Sequence, residues 1–374
     1  MGGRKGALSA PEHSSYLDAR TGRTVHQMTS AAAINHATYF LQSSFTPGDE
    51  SMIFVSDRSG EAQLYEIKPF PDGPIRQLTD QAAIHAFSPA IHPNGRSIFF
   101  VRGGSLWELD LHSVAERLIV EYQGAQLGEP SMGDSAQWLV MAIQQGSSRG
   151  LAVGKTDGTG WHVIAFPRTV IHPQFHPLLP EWIEFSGDPA PRMHRVRRDG
   201  TGLQCLLEHD NNMFIVHETF LGATGNLVYT VWPKSLNVFD WETGLQRLIL
   251  ECNAWHITPN RAGTKVLCDT NHPDTGLYLV DVGSGQKELI CLSESSNRGS
   301  QWTTSRYALA EDFFAARSNA KSAGTLSWME TATDTVYGPQ WTHPHPSFSS
   351  DENKIVFTSD KSGFPQVYVA VLDS

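Results

Sequence analysis

Apolar residues along this chain come in short runs that alternate with polar ones and break at turns rich in Gly, Pro, Asn, Asp and Ser. Alternation with a period of two predicts half-buried β-strands, whereas an amphipathic helix would repeat every 3.6 residues. Two segments define the unit: FTPGDESMIFVSDRSGEAQLYEI from Phe45 and FSSDENKIVFTSDKSGFPQVYVA from Phe348. Each reads as a turn, an apolar strand, a Ser-Asp-x-x-Gly turn and a second alternating strand. Weaker copies lie between them, so the opening turns fall at Thr46, His92, Met132, His176, Leu221, Thr258, Thr304 and Ser349. A spacing of roughly 40–45 residues with about four strands per copy predicts the blades of a β-propeller.

The fold expected is therefore all-β, a single propeller domain over residues 1–374 with residues 1–15 as a flexible tail. Counting turns gives eight blades; seven remain if 297–338 is an insertion. The last copy ends without an outer strand, and TGRTVHQMTS at 21–30 supplies a matching one. An N-terminal strand would then complete the final blade and remove the open sheet edge.

Composition narrows the function classes. Glycine (32) and proline (21) are plentiful, as many short strands require. No run approaches the ~20 apolar residues that span a bilayer. The basic N-terminal start lacks the apolar core of a secretory signal, so a cytoplasmic location is expected. A net charge of −11 with no offsetting basic stripe argues against a nucleic-acid partner. The four cysteines lack metal-site spacing and read as buried hydrophobes.

The sixteen histidines matter through placement. His172, His217 and His345 each stand four residues before an opening turn, His256 two before and His343 six before. On extended segments these even offsets point to one side, and the segment before the turn leads into the innermost strand beside the channel. Single histidines in such places are commonly structural; five at matched offsets, with Gln340 beside His343 and His345, predict a shared polar site. Imidazoles and an amide without thiolate suit a divalent ion such as Mn²⁺, Zn²⁺ or Ni²⁺. His36, His85 and His172 are candidates to line the substrate cavity.

The segment QWTHPHPSFSSDENKIVFTSDKSG resembles the oligogalacturonate lyases, as do LYE…QLTD, RMHRVRRDGTG, HETF and WHITPN. The resemblance extends over most of the chain. It implies a Mn²⁺ ion held by His256, Gln340, His343 and His345, a catalytic His217 and an active-site Arg192. It also implies β-elimination on a small acidic oligosaccharide. Two features depart from it. Family members have seven blades, and a whole blade at 297–338 would separate His256 from the HPHP segment. The cavity loops are also short and diverged. A lyase or isomerase on another acidic sugar and a non-catalytic binding module are the alternatives; a serine peptidase is disfavoured because the repeats leave no room for a hydrolase domain.

Overall fold

Each copy of the repeat folds as an antiparallel sheet because its turns return the chain directly and its strands alternate. In the computed structural model, residues 4–295 apart from 134, 189, 211 and 272 are described, together with 337–338 and 341–372. These form seven sheets of four or five strands, the blades of a ring, and a separate two-stranded pair, Tyr337–Gly338 with Trp341–Thr342. Blade one runs from Asn35–Ala37 outward to Ile75–Gln77, blade four from Thr169–Phe175 to Gln204–Cys205, and blade five from Ile215–Phe220 to Gln246–Leu250. Blade six runs from Ile257–Pro259 to Lys287–Cys291.

Blade seven takes Ser347–Phe348, Lys354–Ser359 and Gln366–Val371 from the C-terminal end and Thr24–Gln27 from the N-terminal end. Val25 pairs with Ala370 and Gln27 with Tyr368, so the expected closing strand is in place. Part of the stretch expected to be a tail is also in strands. Leu8–Ser9 pairs with the outer strand of blade one, and Ser14–Leu17 adds a fifth strand to blade seven. The physical reason is edge pairing: both outer strands otherwise present unpaired backbone groups.

The count of eight is corrected to seven by the contacts between blades six and seven. Leu267, Leu279 and Ile290 of blade six pack directly against Phe348, Ile355 and Phe357 of blade seven. The Thr258 hydroxyl donates to the Pro346 carbonyl at 2.7 Å, and the Arg261 amide donates to Glu352 at 2.6 Å. Adjacent blades leave no room between them for another. The Thr304 copy lies outside the described residues.

The spaces between blades are filled by residues from alternate strand positions, such as Val140, Leu151, Ile183 and Phe185 between blades three and four. All four cysteines are free; Cys268 and Cys291 are buried, and Cys205 and Cys252 are half-buried. Among the described residues, no helix is long and apolar enough to cross a membrane.

Candidate metal centre and active site

The histidines converge because the inner strands are interrupted, and not through simple alternation as the even offsets implied. His172, His217 and His345 all have left-handed backbones, with φ of 53°, 56° and 45°. The pairing register of blade four shifts between Ile171 and Gln174, and that of blade five between Val216 and Thr219. Each shift is a bulge that frees a residue from the ladder and re-aims its side chain. A left-handed backbone is uncommon for a non-glycine residue and persists where surrounding structure holds it. Its recurrence at the same position in three blades is a shared device.

The resulting cluster is continuous. Ring centroids lie 3.9 Å apart for His256 and His345, 5.4 Å for His256 and His343, and 4.6 Å for His217 and His256. His172 follows at 6.0 Å from His217. The Phe40 ring, carried by the loop after the inner strand of blade one, stands 5.3 Å from both His217 and His256. The neighbouring Tyr39 hydroxyl is 2.9 Å from His172 Nε2.

Burial keeps these imidazoles neutral by penalising the charged form. It lowers His172 to about 3 and His343 to about 4, and holds His217, His256 and His345 well below the ordinary histidine value. A neutral imidazole is the form that ligates a metal or accepts a proton.

His256, His343 and His345 each offer a ligand nitrogen, and these lie within 4.8 Å of one another. Asp269 orients the first of them: its carboxylate lies 2.7 Å from His256 Nδ1 and accepts the His256 amide at 2.7 Å. That leaves Nε2 for the centre, the usual carboxylate–histidine arrangement behind a metal ligand. His343 Nδ1 is buried with no hydrogen-bond partner among the described residues. Three neutral imidazoles, one of them backed by a carboxyl, fit a divalent transition ion. Gln340, the fourth expected ligand, lies outside the described residues.

Arg192 is buried in the seam between blades four and five. Its Nε and Nη2 donate to the two oxygens of Glu218 at 3.0 and 3.3 Å, and the Ser186 hydroxyl donates to Glu218 at 2.6 Å. Burial alone would raise the Glu218 carboxyl, but the Arg192 charge and these hydrogen bonds outweigh it and bring it down to about 2. Arg192 is near enough to the histidines for its charge to depress both His172 and His217. His36 is fully buried, 5.6 Å from Phe87, and His85 is 6.1 Å from the same ring. Burial pushes both down to about 4. A separate cleft of about 600 Å³ lies between blades one and two, lined by Glu66, Lys68, Arg76 and Arg96; among the described residues, no group of metal-ligating residues is found there.

No protein-family model matches the chain. Over 95% of its length it is 22% identical to the oligogalacturonide lyase of Pectobacterium atrosepticum, covering 95% of that protein. The same identity and coverages hold for the oligogalacturonate lyase of Dickeya dadantii. The structure matches a solved oligogalacturonate lyase in complex with manganese with a TM-score of 0.81, at 21% identity over 100% of this chain and 99% of that one. An oligogalacturonate lyase from Vibrio parahaemolyticus gives 0.78 at 19% identity, over 98% of both chains. The chain thus resembles oligogalacturonate lyases over nearly its whole length and shares their fold.

Several residues around the clustered histidines escape sequence reading. Glu218 stands in the HETF segment, beside His217, and its neighbour drew the attention. Asp269 faces His256 across the hairpin in which Ile257 pairs with Cys268, a register that would have exposed it. Tyr39 and Phe40 carry no local signal, since their partners are more than a hundred residues away.

Proposed function

We propose that this protein is a metal-dependent lyase that cleaves short uronate oligosaccharides by β-elimination, leaving a 4,5-unsaturated uronate. The observation that carries this reading is the neutral His217 beside the His256–His343–His345 group, in a chain whose full-length relatives are named oligogalacturonate lyases.

The reaction needs a proton removed from C5 of a uronate whose carboxylate charge opposes that removal. His256, His343 and His345, with Gln340 as the family's fourth ligand, would hold the ion. Manganese bound there supplies a Lewis-acid charge that offsets the uronate carboxylate. His217 accepts the C5 proton, which its neutral form and its buried Nδ1, without a hydrogen-bond partner among the described residues, permit. Arg192, held in orientation by Glu218, meets the substrate carboxylate through a planar fork that a lysine lacks. His36, His85 and His172 line the surrounding cavity. The C5–H bonding pair becomes the C4=C5 double bond as the C4–O4 bond breaks, and no water is added. Phe40 and Tyr39, each 1% exposed, fill the axis among the imidazoles and favour short oligomers over a threaded polymer.

Incubation of the manganese-loaded protein with short uronate oligomers tests the reading by ultraviolet absorbance. A conjugated unsaturated product is expected, and His217→Ala should abolish it while metal content is unchanged. Absence of product from every uronate, with manganese present, would turn the reading toward a binding module or an enzyme for a different acidic sugar.

A further inference from the structure

His172 holds a backbone that nothing local favours. Its φ is 53°, in the left-handed region that non-glycine residues rarely adopt. It also precedes Pro173, and a following proline biases a residue toward an extended backbone with negative φ. The bulge of blade four takes it out of the ladder, between the pairs Ile171–Ser186 and Gln174–Glu184, so its amide and carbonyl need partners from elsewhere. A residue in such a conformation persists where its surroundings over-determine it.

The hold on the His172 amide comes from the preceding blade. Glu129 stands where the inner strand of blade three is interrupted, between Gln126–Leu127 and Ser131–Met132, which both pair with Trp138–Gln145. Its side chain is buried, and its Oε1 accepts the His172 amide at 3.0 Å. The His172 carbonyl accepts a longer bond from the Gln174 side chain at 3.4 Å. The device recurs around the ring. Asp269 of blade six accepts the amide of His345, the left-handed residue that leads into blade seven. In blade five the residues after left-handed His217 are held by Gln174 of blade four, which donates to the Glu218 carbonyl at 3.1 Å and accepts the Thr219 hydroxyl at 2.7 Å. Three left-handed histidines are thus each braced by a polar side chain of the blade before.

We propose that Glu129 is a positioning residue of the active site: its carboxyl holds the His172 bulge, so that the imidazole is presented to the substrate beside His217. The assignment rests on the lyase reading above, in which His172 lines the substrate cavity. Glu129 acts through His172, whose ring stands 6.0 Å from that of His217, and takes no part in the proton transfer itself. What it supplies is an acceptor oxygen at the right reach, and its charge is secondary.

The test is a double-mutant cycle on kcat/KM, measured with the manganese-loaded protein and a short uronate oligomer. Glu129→Ala leaves the His172 amide without its acceptor and lets the bulge relax. Its kcat/KM should fall about 100-fold, the scale of a ~1 Å misplacement in an active site, with manganese content equal to wild type. His172→Ala should fall as far, and the double variant no further, because no imidazole is left to aim. Glu129→Gln keeps an acceptor oxygen at the same reach and should restore most of the loss. Glu129→Asp, one methylene shorter, takes the place of the alanine variant in the cycle if that one folds poorly. No loss in either shortened variant, losses that multiply in the double variant, or a glutamine variant as poor as alanine would overturn the assignment and leave the lyase reading standing. A wild-type protein that forms no unsaturated product from any uronate would overturn both.

Discussion

The two faces of one strand in blade four, Trp182–Asp188, do different work. Ile183 and Phe185 point toward blade three and join Val140, Ala142, Leu151 and Val153 in an apolar seam. Ser186 and Glu184 point the other way, toward the Arg192–Glu218 pair of the blade four–five seam. That second seam also holds Gln174, which accepts the Thr219 hydroxyl and donates to the Glu218 carbonyl. The apolar seam gains from water exclusion and tolerates many residues of suitable volume. The polar seam gains little net free energy, since buried charges lose their hydration. What it holds is geometry: it ties down the bulge that presents His217, from the residue next in sequence. Stability and alignment are thus divided between opposite sides of a single strand.

The comparison breaks most readily with one substitution on each side. Glu218→Ala removes the carboxylate that holds the buried Arg192 guanidinium in a two-point pair, and should cost about 3–5 kcal/mol while also losing turnover per folded molecule. Phe185→Ala should cost a similar ~3–5 kcal/mol through the cavity it leaves, yet keep turnover per folded molecule. Denaturant unfolding paired with active-site titration separates the two; equal loss of specific activity would erase the distinction.

Acid should act on the polar seam. The Glu218 carboxyl is lowered from its ordinary 4.5 to about 2 in the fold. A lowered carboxyl contributes stability above its unfolded value, and that contribution is lost as pH falls from about 4.5 toward 2. The loss should be on the order of 3 kcal/mol, measured as the fall in unfolding free energy across that window. Glu218→Gln should flatten it, and a variant with the unaltered acid limb would contradict the assignment.

Smaller effects sharpen the picture. Asp269→Asn removes the carboxyl behind His256 and should weaken manganese binding by about 10–100-fold, read by competition with a chelating dye. Ser186→Ala should cost about 1 kcal/mol, with turnover reduced because one anchor of Glu218 is gone.

The repeat made the architecture readable, because alternation and turn residues act locally. The Ser-Asp-x-x-Gly turns at both ends even placed the closing strand, since blades one and seven are alike. Blade number was harder: the Thr304 copy matched the spacing, and only the packing of Leu279 and Ile290 on Ile355 and Phe357 shows blades six and seven as neighbours. The histidines were found by their offsets, but the reason they converge was not the one the offsets suggested. Strand alternation needs no strain, whereas left-handed residues at His172, His217 and His345 depend on surrounding contacts that a sequence does not display. The same holds for Tyr39, whose meeting with His172 joins blades one and four across the axis.

The central claim is that imidazoles from separate blades hold one cation while His217 stands beside it as a base. Manganese titration of wild type, His217→Ala and His345→Ala, followed by calorimetry, tests it most directly. The account predicts one ion per chain for wild type and for His217→Ala, and binding lost in His345→Ala. Retained binding in His345→Ala, or lost binding in His217→Ala, would contradict it.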